Sequence, residues 1–259
     1  TEFHRWVRDK GDELGLSEAD DFARFVERDF AFYTRWYHEL RRLTTSYVPG
    51  EEALFSNGHT NFTLQYPLML ASLEPGEPAE ASKQKIAIVA SYVDILLNRR
   101  LWNNMSIDYN TMQYAMFLAM LAVRGRSAVE IATDLRARLV ADVPPFEANP
   151  RFRMWPTYKK PARRFLARIS AWVDERFGHQ SSFAAYLSSS GAQGYDIEHV
   201  MADHPDRYVA DFPITIDFHE HRDRIGDLLL LPKSFNRSYG DLAYELKREH
   251  YLTQNALAQ

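Results

Sequence analysis

No cysteine occurs in the 259 residues, which excludes disulfides, thiolate-held zinc and thiol nucleophiles together. A metal would have to be held by His, Asp, Glu or Asn, and the chain suits a reducing compartment. No apolar run approaches the roughly 20 residues that a membrane-crossing helix needs, and no charged-then-apolar leader opens the chain. These absences set the expectation of a soluble, cytoplasmic protein with no membrane partner. There is no G-x-x-x-x-G-K-[ST] loop, so these residues are not expected to bind a nucleoside triphosphate. A net charge of -4 excludes little, because nucleic-acid binding depends on where the charge lies. Internal repeats, low-complexity tails and base-reading motifs are also missing.

What is present is ample apolar content, 46%, enough for one large core or two ordinary ones. From Asp20 to about Leu43, the residues Phe22, Phe25, Val26, Phe30, Tyr33, Trp36, Tyr37 and Leu40 recur at helical spacing. This aromatic row and a second one from Tyr109 to Phe117 are expected to pack in the core. Gly50, Gly58, Gly76 and Pro78 mark loops. Ser82 is expected to open a helix carrying Ile86, Val89, Val93, Leu97 and Leu101 on one face, and another helix spans Thr111 to Val123. Ser127 and Glu130 have capping-box spacing and lead a helix through Leu139, which Val143, Pro144 and Pro145 end. A last helix of this kind runs from about Ala162 to Phe177. Residues 1–178 therefore read as an α-helical bundle.

Beyond it the period changes. A Ser-rich junction reaches Gly194, and two strand-like apolar runs follow, Tyr195 to Val200 and Ile225 to Leu231, separated by a polar loop. A helix from about Leu242 to Leu252 closes the chain. The expected fold class is mainly α, with the helical region 1–178 followed by a small α+β unit over 179–259.

The chemistry-bearing residues crowd into this last quarter. Five of the nine histidines lie from His199 to His250. Glu198 and His199 stand side by side on the first strand, and Asp227 and Asn236 lie nine residues apart across the second. This is the layout of a one-metal phosphodiesterase site, in which an activated water and a cation must be held together. Histidine titrates near neutrality and suits the base. On a strand, neighbouring side chains face opposite ways, so Glu198 and His199 can share a metal site only where the strand ends or twists.

Glu198-His199, then Gly226-Asp227-Leu228 with its run of leucines, then Asn236 resembles the signature of HNH (His-Me finger) nucleases. More narrowly, I-E-H-V, R-I-G-D-L-L-L-L-P-K-S-F-N and E-L-K-R-E-H-Y resemble the C-terminal nuclease domain of GmrSD-type modification-dependent restriction endonucleases. F-T-L-Q-Y-P (Phe62 to Pro67) and S-I-D-Y-N-T-M-Q-Y-A-M-F (Ser106 to Phe117) resemble the helical region that precedes that domain. The resemblance implies a ββα-metal (HNH) nuclease unit, a restriction-type antiviral defence function, hydrolysis of DNA and a divalent metal, Mg²⁺ or Mn²⁺. It implies that His199 is the general base, and that Glu198 and Asn236 bind the metal. Asp227 stands where the family pattern usually has Asn, a residue that shapes the base-bearing loop and supports the imidazole. The chain does not open with Met, and the resemblance implies an N-terminal NTP-using sensor domain in a longer protein.

Several charged groups are candidate phosphate contacts. His204 follows closely on His199, while Lys233, Arg237 and Lys247 flank Asn236 in sequence. Arg151 to Arg168 holds seven basic residues and no acid, with Lys159, Lys160, Arg163 and Arg164 as the candidate DNA-tracking group. The segment His219-Glu220-His221, ahead of Arg222-Asp223-Arg224, reads as a solvated surface. Two other functions compete with the nuclease: a DNA-binding module whose site no longer cuts, and an RNase toxin of the same fold.

Overall fold

A computed structural model describes residues 2–180, 183–188, 194–239 and 242–259, the side chains of 237–239 excepted. The structure is mostly helical, with one two-stranded sheet. Contacts divide it into Thr1–Phe146 and Glu147–Gln259. No described helix is long and apolar enough to cross a membrane.

The first unit contains α1 (Glu2–Asp9), α2 (Ala19–Arg24), a π-helical stretch (Phe25–Phe30), α3 (Ala31–Thr45), α4 (Glu52–Gly58), α5 (Gln65–Ala71), α6 (Ala79–Trp102), α7 (Tyr109–Val123) and α8 (Ala128–Asp142). α6 is its axis and packs against α4, α5 and α8. The reason is its sequence: Ile86, Val89, Val93, Leu97 and Leu101 recur every three or four residues and are all buried. Each such Leu or Ile contributes about 1.5–3 kcal/mol through removal of its apolar surface from water. α6 begins at Ala79, ahead of the expected Ser82. Ser82 is instead buried, with its hydroxyl donating to Glu77 Oε1 at 2.8 Å. The expected capping box at the head of α8 is present: Ser127 N donates to Glu130 Oε2 at 2.9 Å, and Glu130 N to Ser127 Oγ at 3.4 Å. Gly58 ends α4 rather than forming a loop. A Cβ there would lie 2.0 Å from Thr44 O, so only glycine lets α4 approach α3 this closely.

The aromatic rows meet expectation only in part: Leu40 is in the core, and Tyr33 and Trp36 pack against it. Along the continuous helix from Ala19 to Thr45, Phe22, Val26, Phe30 and Tyr37 are exposed, and the buried residues are Phe32, Leu40, Leu43 and Thr44. The π-helical stretch offsets the register of the stripe, and α4 and α5 cover only α3. On α7 the buried stripe is Met112, Met116, Ala119 and Val123, while Tyr109, Tyr114 and Phe117 face outward. Helical spacing alone did not say which of two apolar stripes would be covered.

The second unit contains α9 (Lys159–Arg176), α10 (Phe183–Leu187), β1 (Tyr195–His199), α11 (Thr215–Arg222), β2 (Leu228–Pro232), α12 (Lys233–Tyr239) and α13 (Tyr244–Tyr251). α9, which the sequence reading placed in the helical region before 178, packs on β2 and α10. β1 and β2 pair antiparallel, with Tyr195 opposite Pro232 and His199 opposite Leu228. Ile225–Asp227, expected as the start of the second strand, is a 3-10 turn. The tail is tied back, with Asn255 Nδ2 donating to Leu230 O at 2.7 Å and Ala256 N to Asp174 Oδ1 at 3.3 Å. Residues 181–182 and 189–193 of the Ser-rich junction lie outside the described residues.

Candidate active site

The strand register builds the site. Because His199 pairs with Leu228, the chain just ahead of β2 must lie at the same end of the hairpin as His199. Two further contacts fix that chain segment: Met154 N donates to Asp223 O at 2.7 Å, and Ile225 N to Phe152 O at 3.2 Å. As a result Asp223 Oδ1 lies 3.0 Å from His199 Nε2. A carboxylate only accepts, so a neutral ring carries its hydrogen on Nε2 and its lone pair on Nδ1. Burial, reinforced by the nearby Arg222 charge, holds the His199 pKa below its ordinary value, with Asp223 opposing the shift. The shift favours the neutral imidazole, the form that can accept a proton.

Asp227 shapes the turn after β1. Its backbone oxygen accepts from Val200 N at 2.9 Å, and its Oδ2 accepts from Met201 N at 3.2 Å. Burial pushes its carboxyl up to about 7. Its hydrogen bonds among the described residues hold the loop, and the ring is held by Asp223 instead.

Glu198, the neighbour of His199 on β1, reaches the same cavity only at its wall. It is buried, and its Oε1 accepts from Lys247 Nζ at 2.6 Å and from Tyr251 OH at 3.2 Å, both on α13. Lys247 Nζ also donates to His199 O at 3.1 Å. Lys247 is thus a buried partner of Glu198, not an exposed phosphate contact. Asn236, on α12, donates through Nδ2 to Ile197 O at 3.3 Å. Among the described residues no group of three or more His, Asp or Glu side chains converges as a metal site. Glu198, neutralised by an ammonium group, does not fit the role of metal ligand in this arrangement.

A cavity of about 460 Å³ is lined by His199, Asp203, His204 and Arg222, with Glu198 and Lys247 also at its wall. A larger one of about 880 Å³ lies in the first unit, and none of the residues singled out for chemistry borders it. Of the remaining candidates, Lys159 and Lys160 are exposed at the start of α9. Arg163 and Arg164 lie one turn deeper: Arg163 donates to Tyr195 O at 2.5 Å and pairs with Asp196 at 2.9 Å, and Arg164 is buried. Lys233 opens α12 and is partly buried. The Arg237 side chain lies outside the described residues.

Sequence reasoning missed Asp223 and Arg222, which it assigned to a solvated run. The signal was available in the pairing of the two strands, which brings the residues before Leu228 to His199. His219 and His221 are exposed and lie on helix α11, not on a strand, so their spacing of two does not put them on one face. No curated protein and no solved structure matches the chain. Residues 157–259 match the family model of GmrSD restriction endonucleases, C-terminal domain.

Proposed function

We propose that the second unit is the nucleolytic part of a restriction-type antiviral defence protein, an HNH-type (His-Me finger) endonuclease that hydrolyses DNA and nicks one strand per site. The observation that carries this reading is the His199 and Asp223 pair, with an imidazole shifted toward its neutral form at a cavity wall. The family match over residues 157–259 supports it. In this reading β1, the long loop, β2 and α12 form a ββα-metal unit, and Thr1–Phe146 is a helical bundle ahead of it. Because α9 packs on β2, the nuclease unit is taken to include α9 rather than to begin at 179.

In the proposed reaction Nδ1 of His199 takes a proton from water as the water oxygen attacks phosphorus in line with the P–O3′ bond, which breaks, and the departing 3′ oxygen takes up a proton from solvent. Asp223 stabilises the imidazolium that forms and keeps the ring oriented. The family resemblance implies that the reaction also depends on Mg²⁺ or Mn²⁺. Lys247 holds Glu198, so that carboxylate would not be free to ligate the ion. A plasmid-relaxation assay with Mg²⁺ tests the reading. His199→Ala is expected to lower the nicking rate by about 10²–10⁴, and a rate equal to that of the unaltered chain would overturn it.

The Glu198 and Lys247 pair favours one other reading, a DNA-binding module with a site that no longer cuts. Salt-dependent DNA binding that survives full chelation, with no product at any metal concentration, would select it.

A further inference from the structure

The cavity beside His199 is bordered by two cations, and they differ in what they already hold. Lys247 Nζ donates to Glu198 at 2.6 Å and to His199 O at 3.1 Å, and its side chain is only 2% exposed. Arg222 is the last residue of α11, with its side chain 17% exposed. Its Nε donates to Met201 O at 3.1 Å, which anchors the guanidinium against the turn that follows β1. Among the described residues the one carboxylate within 4 Å is Asp223, 3.9 Å from Nη1, beyond hydrogen-bond distance; Asp227 acts on it only from farther away. That same Asp223 oxygen is 3.0 Å from His199 Nε2. The four hydrogens on the two Nη atoms thus make no hydrogen bond among the described residues.

Arg222 is anchored through Nε and 17% exposed at its side chain, so its Nη donors face the cavity and can meet an anion there. The planar guanidinium fork matches two oxygens of a phosphodiester in a bidentate way that an ammonium cannot. The fork lines the cavity that the base also lines. A phosphodiester can direct its non-bridging oxygens to Arg222 and leave phosphorus open to water near His199.

We infer that Arg222 is the phosphate-binding residue of this site, holding the non-bridging oxygens of the scissile phosphodiester while His199 activates water. The inference rests on the nuclease reading of the cavity and adds to it the group that seats the substrate. Arg222 would act most strongly as charge builds on phosphorus, so its removal should lower kcat more than it raises KM.

The test uses the full chain and two readouts. In the nicking assay Arg222→Ala is expected to lower kcat by about 100-fold, and Arg222→Lys to regain about a tenth of the lost rate, because Lys keeps the charge without the fork. Independently, inorganic phosphate is titrated against the chain while the Arg Nε–Hε signals are followed by NMR. One signal should shift in the unaltered chain and in His199→Ala, and be missing in Arg222→Lys, which also preserves the fold if Arg222→Ala unfolds. Cleavage by Arg222→Ala within threefold of the unaltered rate would overturn the inference. So would lowered cleavage with no phosphate-dependent shift, which is the signature of a merely structural anchor on Met201. If the unaltered chain fails to cut DNA, the nuclease reading falls, and the phosphate titration alone decides the role of Arg222.

Discussion

Two acid–base pairs start from adjacent residues of β1, and they differ in exposure. Glu198 and Lys247 are 8% and 2% exposed at their side chains and close on each other at 2.6 Å. His199 and Asp223 are 17% and 35% exposed and meet at 3.0 Å beside a cavity. The first pair touches the cavity wall but is nearly closed off from water, so its charges serve the fold. The second leaves one ring nitrogen open, so its proton can move. In the proposed nuclease a step of one residue along the strand separates the structural pair from the reactive one, because successive side chains are exposed to different degrees.

Four experiments sharpen or break that comparison. The largest effect is expected from His199→Ala, at about 10²–10⁴ in nicking rate with the melting temperature little changed. Equal loss of activity and stability would erase the distinction between the pairs. Next, Lys247→Met leaves Glu198 buried without its partner, at an expected cost of about 3–5 kcal/mol, read by urea denaturation. Pairing it with Glu198→Gln should restore most of that loss. A stable Lys247→Met protein would mean that Glu198 has another partner to turn to.

Asp223→Asn should lower the nicking rate by about 10–100-fold while denaturation stays within about 1 kcal/mol. Asp223 raises the His199 pKa against burial. Its loss should therefore move the acid limb of the pH–rate profile to lower pH as the plateau falls. A limb that moves to higher pH would show that Asp223 does not stabilise the protonated ring.

The smallest effect concerns Asp227, whose folded pKa is raised from 3.8 to about 7. The folded chain holds this proton more tightly than the unfolded one. The stabilisation is therefore complete below about pH 3.8 and is lost as pH rises through about 7. Asp227→Asn keeps an oxygen for Met201 N–H and cannot ionise, so the drop in melting temperature between pH 5 and pH 8 should narrow. An unchanged drop would place the titration elsewhere.

Much of the first unit was legible because its signals are local. The Ser127 and Glu130 box and the α6 stripe each lie within one helix, and both were read correctly. The aromatic rows were read correctly at Tyr33, Trp36 and Leu40 and misread at their exposed members, because spacing shows that a stripe exists without showing what covers it. In the second unit the strands were legible, though β2 begins at Leu228 rather than Ile225. Glu198 and Lys247 lie 49 residues apart, and His199 and Asp223 24 apart. Neither pairing has a local periodicity to announce it, and only the strand register brings Asp223 within reach.

The same hairpin has a consequence for how the chain behaves in a crowded solution. A two-stranded sheet has two open edges, and an open edge is a template onto which another chain can pair. Here the outward carbonyls of Tyr195, Ile197 and His199 are taken by Arg163, Asn236 and Lys247, and that of Leu230 by Asn255. Residues that look in sequence like phosphate or metal contacts thereby act as stoppers against self-association. An incoming strand meets side chains instead of free acceptors, and the sheet stays at two strands.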